Sequence, residues 1–215
     1  SMLRTMMFSA LMCIAFAGIA QVNTYDVADL GYLRKPMESK SGLVLTNNRY
    51  SEIYLLQDGQ LKTLVKGRGA GIYTQMSKDK TLVGFKSIND DDYQAPAVLH
   101  VASGVVNILE DYVWECGQVS FADDGTMAYT MGNNLVIRKG SDRKTYDLGF
   151  YTNIVNISPD AKRVAYGNID GGYFIMNLET GVVEQVAVND GYDGVWSPDG
   201  SKLAVQTAQG MLSVL

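Results

Sequence analysis

The 215-residue sequence has one histidine, two cysteines and four prolines, and each scarcity removes a class of explanation. His100, alone on the apolar run "AVLHVA", cannot build a histidine metal centre or serve several partners in a triad, and reads as a paired or surface residue. Cys13 falls in the N-terminal apolar run, so Cys116 stands alone downstream as a small buried hydrophobe. No internal disulfide is then available, and the fold must rest on its core. A Gly-Xaa-Ser-Xaa-Gly elbow and a phosphate loop are both missing, and "GRGAG", Gly67–Gly71, leads into no helical pattern, so it reads as a connection. The run "NDDDY", Asn89–Tyr93, offers adjacent carboxylates without the alternating spacing of a calcium loop and reads as a solvated loop. No cofactor and no metal are expected. Blocks of like charge are lacking too: 18 basic against 23 acidic residues give a net charge of −5. A weakly acidic chain without a basic run argues against nucleic acid and anionic membrane surfaces as partners.

Long hydrophobic runs are scarce beyond the N-terminus. Residues 2–20, "MLRTMMFSALMCIAFAGIA", carry one positive charge at Arg4, then an apolar stretch, then small residues before Gln21. That is the layout of a signal peptide, too short for a stable membrane span, with cleavage expected after Ala20 or, nearly as well, after Ala17. Ser1 precedes a natural start at Met2, and bulky Met12 ahead of Cys13 argues against lipidation. Residues 21–215 are expected to form one domain with no membrane span, exported to a bacterial periplasm or the exterior. No Ser/Gly-rich linker marks a boundary within them.

What the sequence does contain is a repeat. The turns "ESKSG", "SKDK", "ADDG", "SPDA" and "SPDG" place Lys40, Asp79, Asp124, Asp160 and Asp199 at intervals of 39, 45, 36 and 39 residues. Three positions before each stand Met37, Met76, Phe121, Ile157 and Trp196, and four positions after stand Val44, Val83, Ala128, Val164 and Leu203, all apolar. Ser-Pro-Asp-Gly suits a hairpin because Pro fixes φ, Asp caps the turn and Gly accepts positive φ. Each unit reads as four short strands, as in "GLVLT", "EIYLLQ" and "LKTLV" of the first or "RVAYG", "YFIMNL" and "VVEQVAV" of the fourth, and no segment sustains a helical period. Four antiparallel strands every 40 residues or so predict an all-β, five-bladed β-propeller. The fifth unit lacks an outer strand before residue 215; "TYDVADLGY", Thr24–Tyr32, resembles "TYDLGFY" of the third unit, and residues 22–30 are expected to close the last blade. A sandwich with the same spacing and a larger propeller cut at residue 215 are the rival architectures.

The phrases "ISPDAKRVAYGNIDGGYFIMNLETG" and "WSPDGSKLAV" resemble the Pro-Asp variant of WD-type repeats, as in TolB-type periplasmic propellers and the propeller domains of prolyl-oligopeptidase-like enzymes. The resemblance spans Val119–Val214 and is degenerate in the first two units. It implies the fold and is nearly silent on function, because the matching residues build the hairpin. The Gly-His and Trp-Asp landmarks of intracellular WD repeats are missing, and so is the catalytic domain of the peptidases.

The connections between blades gather Tyr32, Tyr73, Tyr112, Trp114, Phe150, Tyr151 and Tyr192, with Arg34, Arg68, Glu115, Asp190 and Asp193 nearby. Propeller topology puts them on one face with "NNRY", "GNN" and "GNIDGGY", the loops between middle strands. Rings stack and amides bond directionally, so Tyr32, Arg34, Tyr73, Tyr112, Trp114, Glu115, Tyr151, Asp190, Tyr192 and Asp193 form a candidate site for a protein, peptide or glycan. Wedging of these aromatics between blades is the competing use. A noncatalytic binding propeller is the favoured function; a five-bladed glycoside hydrolase with Glu115, Asp190 and Asp193 as channel carboxylates is the alternative.

Overall fold

A computed structural model of the chain describes residues 32–186, 188, 190–207, 210 and 212–215. The leader at 1–20 and the closing strand expected at 22–30 lie outside the described residues. Within them, strands follow one another as antiparallel meanders and no helix occurs. The first blade is β1 (Leu33–Ser39), β2 (Gly42–Asn47), β3 (Glu52–Gln57) and β4 (Gln60–Lys66); the second is β5 (Gln75–Met76), β6 (Leu82–Ile88), β7 (Gln94–His100) and β8 (Val106–Ile108). The third is β9 (Ser120–Phe121), β10 (Met127–Met131), β11 (Asn134–Lys139) and β12 (Asp142–Asp147); the fourth is β13 (Val155–Ile157), β14 (Arg163–Gly167), β15 (Tyr173–Asn177) and β16 (Val183–Val186). The fifth contributes β17 (Gly191–Trp196), β18 (Leu203–Thr207) and β19 (Leu212–Val214). This is the five-bladed β-propeller that the repeat predicts.

The apolar positions of the repeat are the seams of the ring. Val44, Val83, Ala128, Val164 and Leu203 are all fully buried. Val44, Ile53 and Leu55 of the first blade pack on Val83, Phe85, Ala97 and Leu99 of the second. Leu109 joins Val119, Tyr129 and Val136 across the next seam, Leu135 meets Val164 and Met176 across the third, and Ala165 and Tyr173 meet Leu203 and Val205 across the fourth. The fifth blade returns to the first connection, where the Tyr73 and Tyr192 rings sit edge to face at 6.1 Å.

The first turn of each blade explains why Ser and Asp recur. In "SPDA" and "SPDG" the serine hydroxyl donates to the aspartate at 2.7 Å, the aspartate accepts the backbone N–H two residues on, and the serine oxygen accepts the N–H five residues on. "SKDK" makes the same three bonds through Ser77 and Asp79, so Pro and Gly are the dispensable members of the motif. The fourth turn residue is left-handed in four blades, with φ of 62° at Lys80, 86° at Gly125, 61° at Ala161 and 72° at Gly200. Two details depart from the repeat. Met37, Met76, Ile157 and Trp196 pair with Val44, Val83, Val164 and Leu203, but Phe121 pairs with Met127 because the "ADDG" hairpin is one residue shorter. The outer strand of the third blade also stops at Asp147, whose carboxylate accepts the Gly149 N–H at 2.8 Å and turns the chain inward.

Two predictions follow from these turns. Ala161 holds a conformation that costs an L-residue about 1–2 kcal/mol, so Ala161→Gly should raise unfolding free energy by about 0.5–1 kcal/mol after the added unfolded-chain entropy; a urea titration showing loss of stability would refute this. Hydrogen bonds from Lys139 and Thr126 hold the Asp124 carboxyl near 2, bonds from Ser201 and Ser197 do the same for Asp199, and Ser77 and Ser158 lower Asp79 and Asp160. A depressed folded pKa gives stability that is complete above the unfolded value of about 4 and is lost as pH falls toward 2. Stability curves should therefore drop between about pH 4 and 2, and Asp160→Asn should be less stable at neutral pH with a shallower acid limb.

Candidate functional site

The connections between blades and the loops between second and third strands lie on the face opposite the Ser-Asp turns. Two of these loops share a build. Asn89 N–H donates to Tyr93 O and Asn168 N–H to Gly172 O, and each asparagine Oδ1 accepts an N–H two residues on, from Asp91 and Asp170. The asparagine thus satisfies the backbone inside the loop and turns the following side chains outward. In the "NDDDY" loop Asp92 is paired with Arg68, and Tyr93 carries Trp114 edge to face at 6.5 Å. In the fourth blade Ile169 stays 94% exposed.

Beside that isoleucine lies a cavity of about 490 Å³, lined by Glu115, Phe150–Ile154, Gly167–Asp170 and Asp190–Tyr192. Four of the ten expected residues, Glu115, Tyr151, Asp190 and Tyr192, border it. The other six do not. Asp193 points instead into a separate cavity of about 290 Å³ between the inner strands, where its Oδ1 accepts Asn156 Nδ2 at 3.1 Å and the Gly194 N–H at 2.8 Å. Tyr73 reaches the edge of the cluster through its contact with Tyr192. Tyr112 bonds Ser87 at 2.8 Å, and Trp114, 72% exposed, lies with it over the second blade. Arg34 sits over the Tyr50 ring at 5.7 Å, and Tyr32 projects beside the first blade. Phe150 serves both uses: it borders the cavity and wedges between blades, 6.0 Å from Tyr166 and 6.1 Å from Phe174.

Beneath Tyr151 and Asn153 of the cavity lining lies a buried polar layer, a floor that the composition did not announce. Lys86 on β6, only 8% exposed, donates to Asn153 Oδ1 at 2.8 Å. Tyr151 donates its hydroxyl to Cys116 O at 2.8 Å. Burial lowers the Lys86 ammonium from its ordinary value, with Cys116 and Glu115 acting against it, and pushes the Cys116 thiol up to about 11. Burial also raises the Tyr151 phenol, reinforced by Cys116 and Glu115. A lysine at this depth on an alternating strand reads as an outward-facing residue, so only its neighbours across two blades reveal it.

The wall toward the fifth blade is set by glycine. Tyr173 lies flat between blades four and five, 1% exposed, and a Cβ at Gly191 would collide with its ring while one at Gly194 would come within 2.5 Å of its hydroxyl. That hydroxyl has no hydrogen-bond partner among the described residues. Gly191→Ala and Gly194→Ala should each cost about 1–3 kcal/mol by overpacking. Tyr173→Phe should be neutral or stabilising, since it removes an unmet buried hydroxyl; a large loss in chemical denaturation would show that the hydroxyl has a partner.

With fold and site in place, known proteins can be compared. No family model matches the sequence, and no curated protein sequence matches it. Many solved structures share the fold, two TolB structures among them. TolB from Acinetobacter baumannii superposes with a TM-score of 0.63 at 15% identity, over 86% of this chain and 52% of that one. The putative TolB from Agrobacterium tumefaciens superposes with a TM-score of 0.63 at 14% identity, over 86% of this chain and 76% of that one. The chain therefore spans about half the length of the first structure, and at these identities the likeness is one of fold: this chain is a β-propeller similar in fold to the two TolB structures.

Proposed function

We propose that the chain is a binding propeller of the bacterial periplasm, without catalysis of its own, that takes a segment of a protein, peptide or glycan partner on the face carrying Tyr192 and Ile169. One observation carries this reading: a mostly apolar cavity of about 490 Å³ opens beside exposed Ile169, walled by Phe150, Ile154 and Tyr192 and edged by carboxylates. Concave, mostly apolar surfaces with a few convergent polar groups are the usual form of a ligand site. The signal-peptide layout of residues 2–20 and the likeness in fold to TolB structures support the periplasmic setting.

A sugar-cleaving enzyme keeps one supporting observation, since Glu115 and Asp190 border the same cavity. It loses Asp193 from that pair, because this carboxylate is engaged by Asn156 and Gly194 at the inner strands. Retaining or inverting hydrolysis needs two carboxylates about 5–10 Å apart across the bond to be cut. Turnover of chromogenic glycosides by the full chain therefore separates the two: an enzyme cleaves them and loses that activity in Glu115→Gln, whereas a scaffold shows no turnover before or after the substitution.

Ile169→Asp and Tyr192→Ala should each weaken capture on peptide and glycan arrays by about tenfold or more, with the unfolding midpoint unchanged in Ile169→Asp, whose side chain is exposed, and slightly lowered in Tyr192→Ala, which loses the Tyr73 contact. If arrays and photo-crosslinking from position 169 in periplasmic extract both stayed empty, the cavity would not be a binding site.

A further inference from the structure

The cavity's charge is one-sided. Glu115 comes from the connection between blades two and three, Asp170 from the loop between β14 and β15, and Asp190 from the connection between blades four and five. None of the three is in an ion pair among the described residues. The cation that faces Glu115 is Lys86, which is buried in the floor and committed to Asn153. Three neutral polar atoms are committed within the protein: Asn153 Oδ1 to Lys86, the Tyr151 hydroxyl to Cys116 O, and Asn168 Oδ1 to the Asp170 N–H.

An anionic ligand would meet three carboxylates that no rim cation offsets, whereas a long aliphatic stem ending in a cation finds both an apolar wall and unpaired opposite charge. Its methylenes bury well against Phe150 and Ile154, and its head is drawn to carboxylates and to the exposed Tyr192 ring. The net charge of −5 adds long-range attraction for such a partner.

We propose that this cavity takes an arginine or lysine side chain from an extended segment of a partner protein, with the head held among Glu115, Asp170 and Asp190. This rests on the binding function proposed above and specifies its chemistry. Arginine fits better than lysine, because its planar fork can share two carboxylates and stack on Tyr192.

The test uses the full chain and four fluorescent hexapeptides, capped at both ends and identical except for a central arginine, lysine, citrulline or glutamate. Anisotropy titrations should show the arginine peptide binding about tenfold or more tighter than citrulline, a gap of about 1.4 kcal/mol, with glutamate weakest. The gap should shrink severalfold between about 0.05 and 0.5 M salt. It should also close in the Asp170→Asn/Asp190→Asn double variant, whose unfolding midpoint is checked alongside. Equal binding of arginine and citrulline peptides, both lost in Ile169→Asp, would overturn the basic side chain and leave a peptide-binding cavity. A glycan that binds and is lost in Tyr192→Ala would do the same. Binding of none of the four peptides, with empty arrays, would sink both ideas.

Discussion

A four-stranded blade of this chain is apolar on both faces, so it needs a neighbour on each side before it can be stable. Every seam described is filled accordingly, from Val44 and Val83 between the first two blades to Ala165 and Leu203 between the last two. Among the described residues no disulfide shares the work, since Cys116 is a free thiol at the core. The closeness of the blades shows in the glycines: a Cβ at Gly84 would lie 2.8 Å from Val119 Cβ, and Gly191 and Gly194 leave room for the Tyr173 ring. Such contacts tolerate little change of volume, which confines variation to the two ends of the strands.

Those two ends are built differently. On one face the Ser-Asp turns are tied to one another across blades: Lys40 N–H donates to Lys80 O, Asp123 N–H to Pro159 O, and Arg163 reaches Gly200 O while lying over Trp196 at 4.5 Å. Side chains and backbone are consumed there in holding the ring together. On the other face the loops satisfy their own backbone through Asn89 and Asn168, which in the fourth blade leaves Ile169 exposed and Asp170 outside any ion pair among the described residues. The face proposed for recognition is thus the end opposite the turns in which the repeat is read, where the repeat is silent.

That division decides what the sequence could reveal. Repeats report on positions that every blade must fill in the same way, so blade number, strand order, the Met37–Val44 type of pairing and the burial of the fourth position after the turn were all legible. The bonding of "SKDK" was hidden because Pro and Gly catch the eye while Ser77 and Asp79 do the bonding. The site was legible only as a face. Glu115, Tyr151, Asp190 and Tyr192 converge because the third, fourth and fifth blades present them together, whereas Tyr112 and Trp114 are turned over the second blade by Ser87 and Tyr93. Nothing in a single strand distinguishes Lys86 from a solvated lysine. Its burial comes from packing across three blades, and that information is not local.

The cavity joins these two kinds of position. Its floor belongs to the close-packed ring: Lys86 bonds Asn153 and Tyr151 bonds the Cys116 carbonyl, so removing Asn153 would leave the buried ammonium without that acceptor. Its rim belongs to the loops: Asp170, Asp190 and Ile169 can be exchanged without touching a seam. For the binding site proposed here, the floor then sets the depth, and selection among ligands would fall to the rim charges, the part that blade packing constrains least.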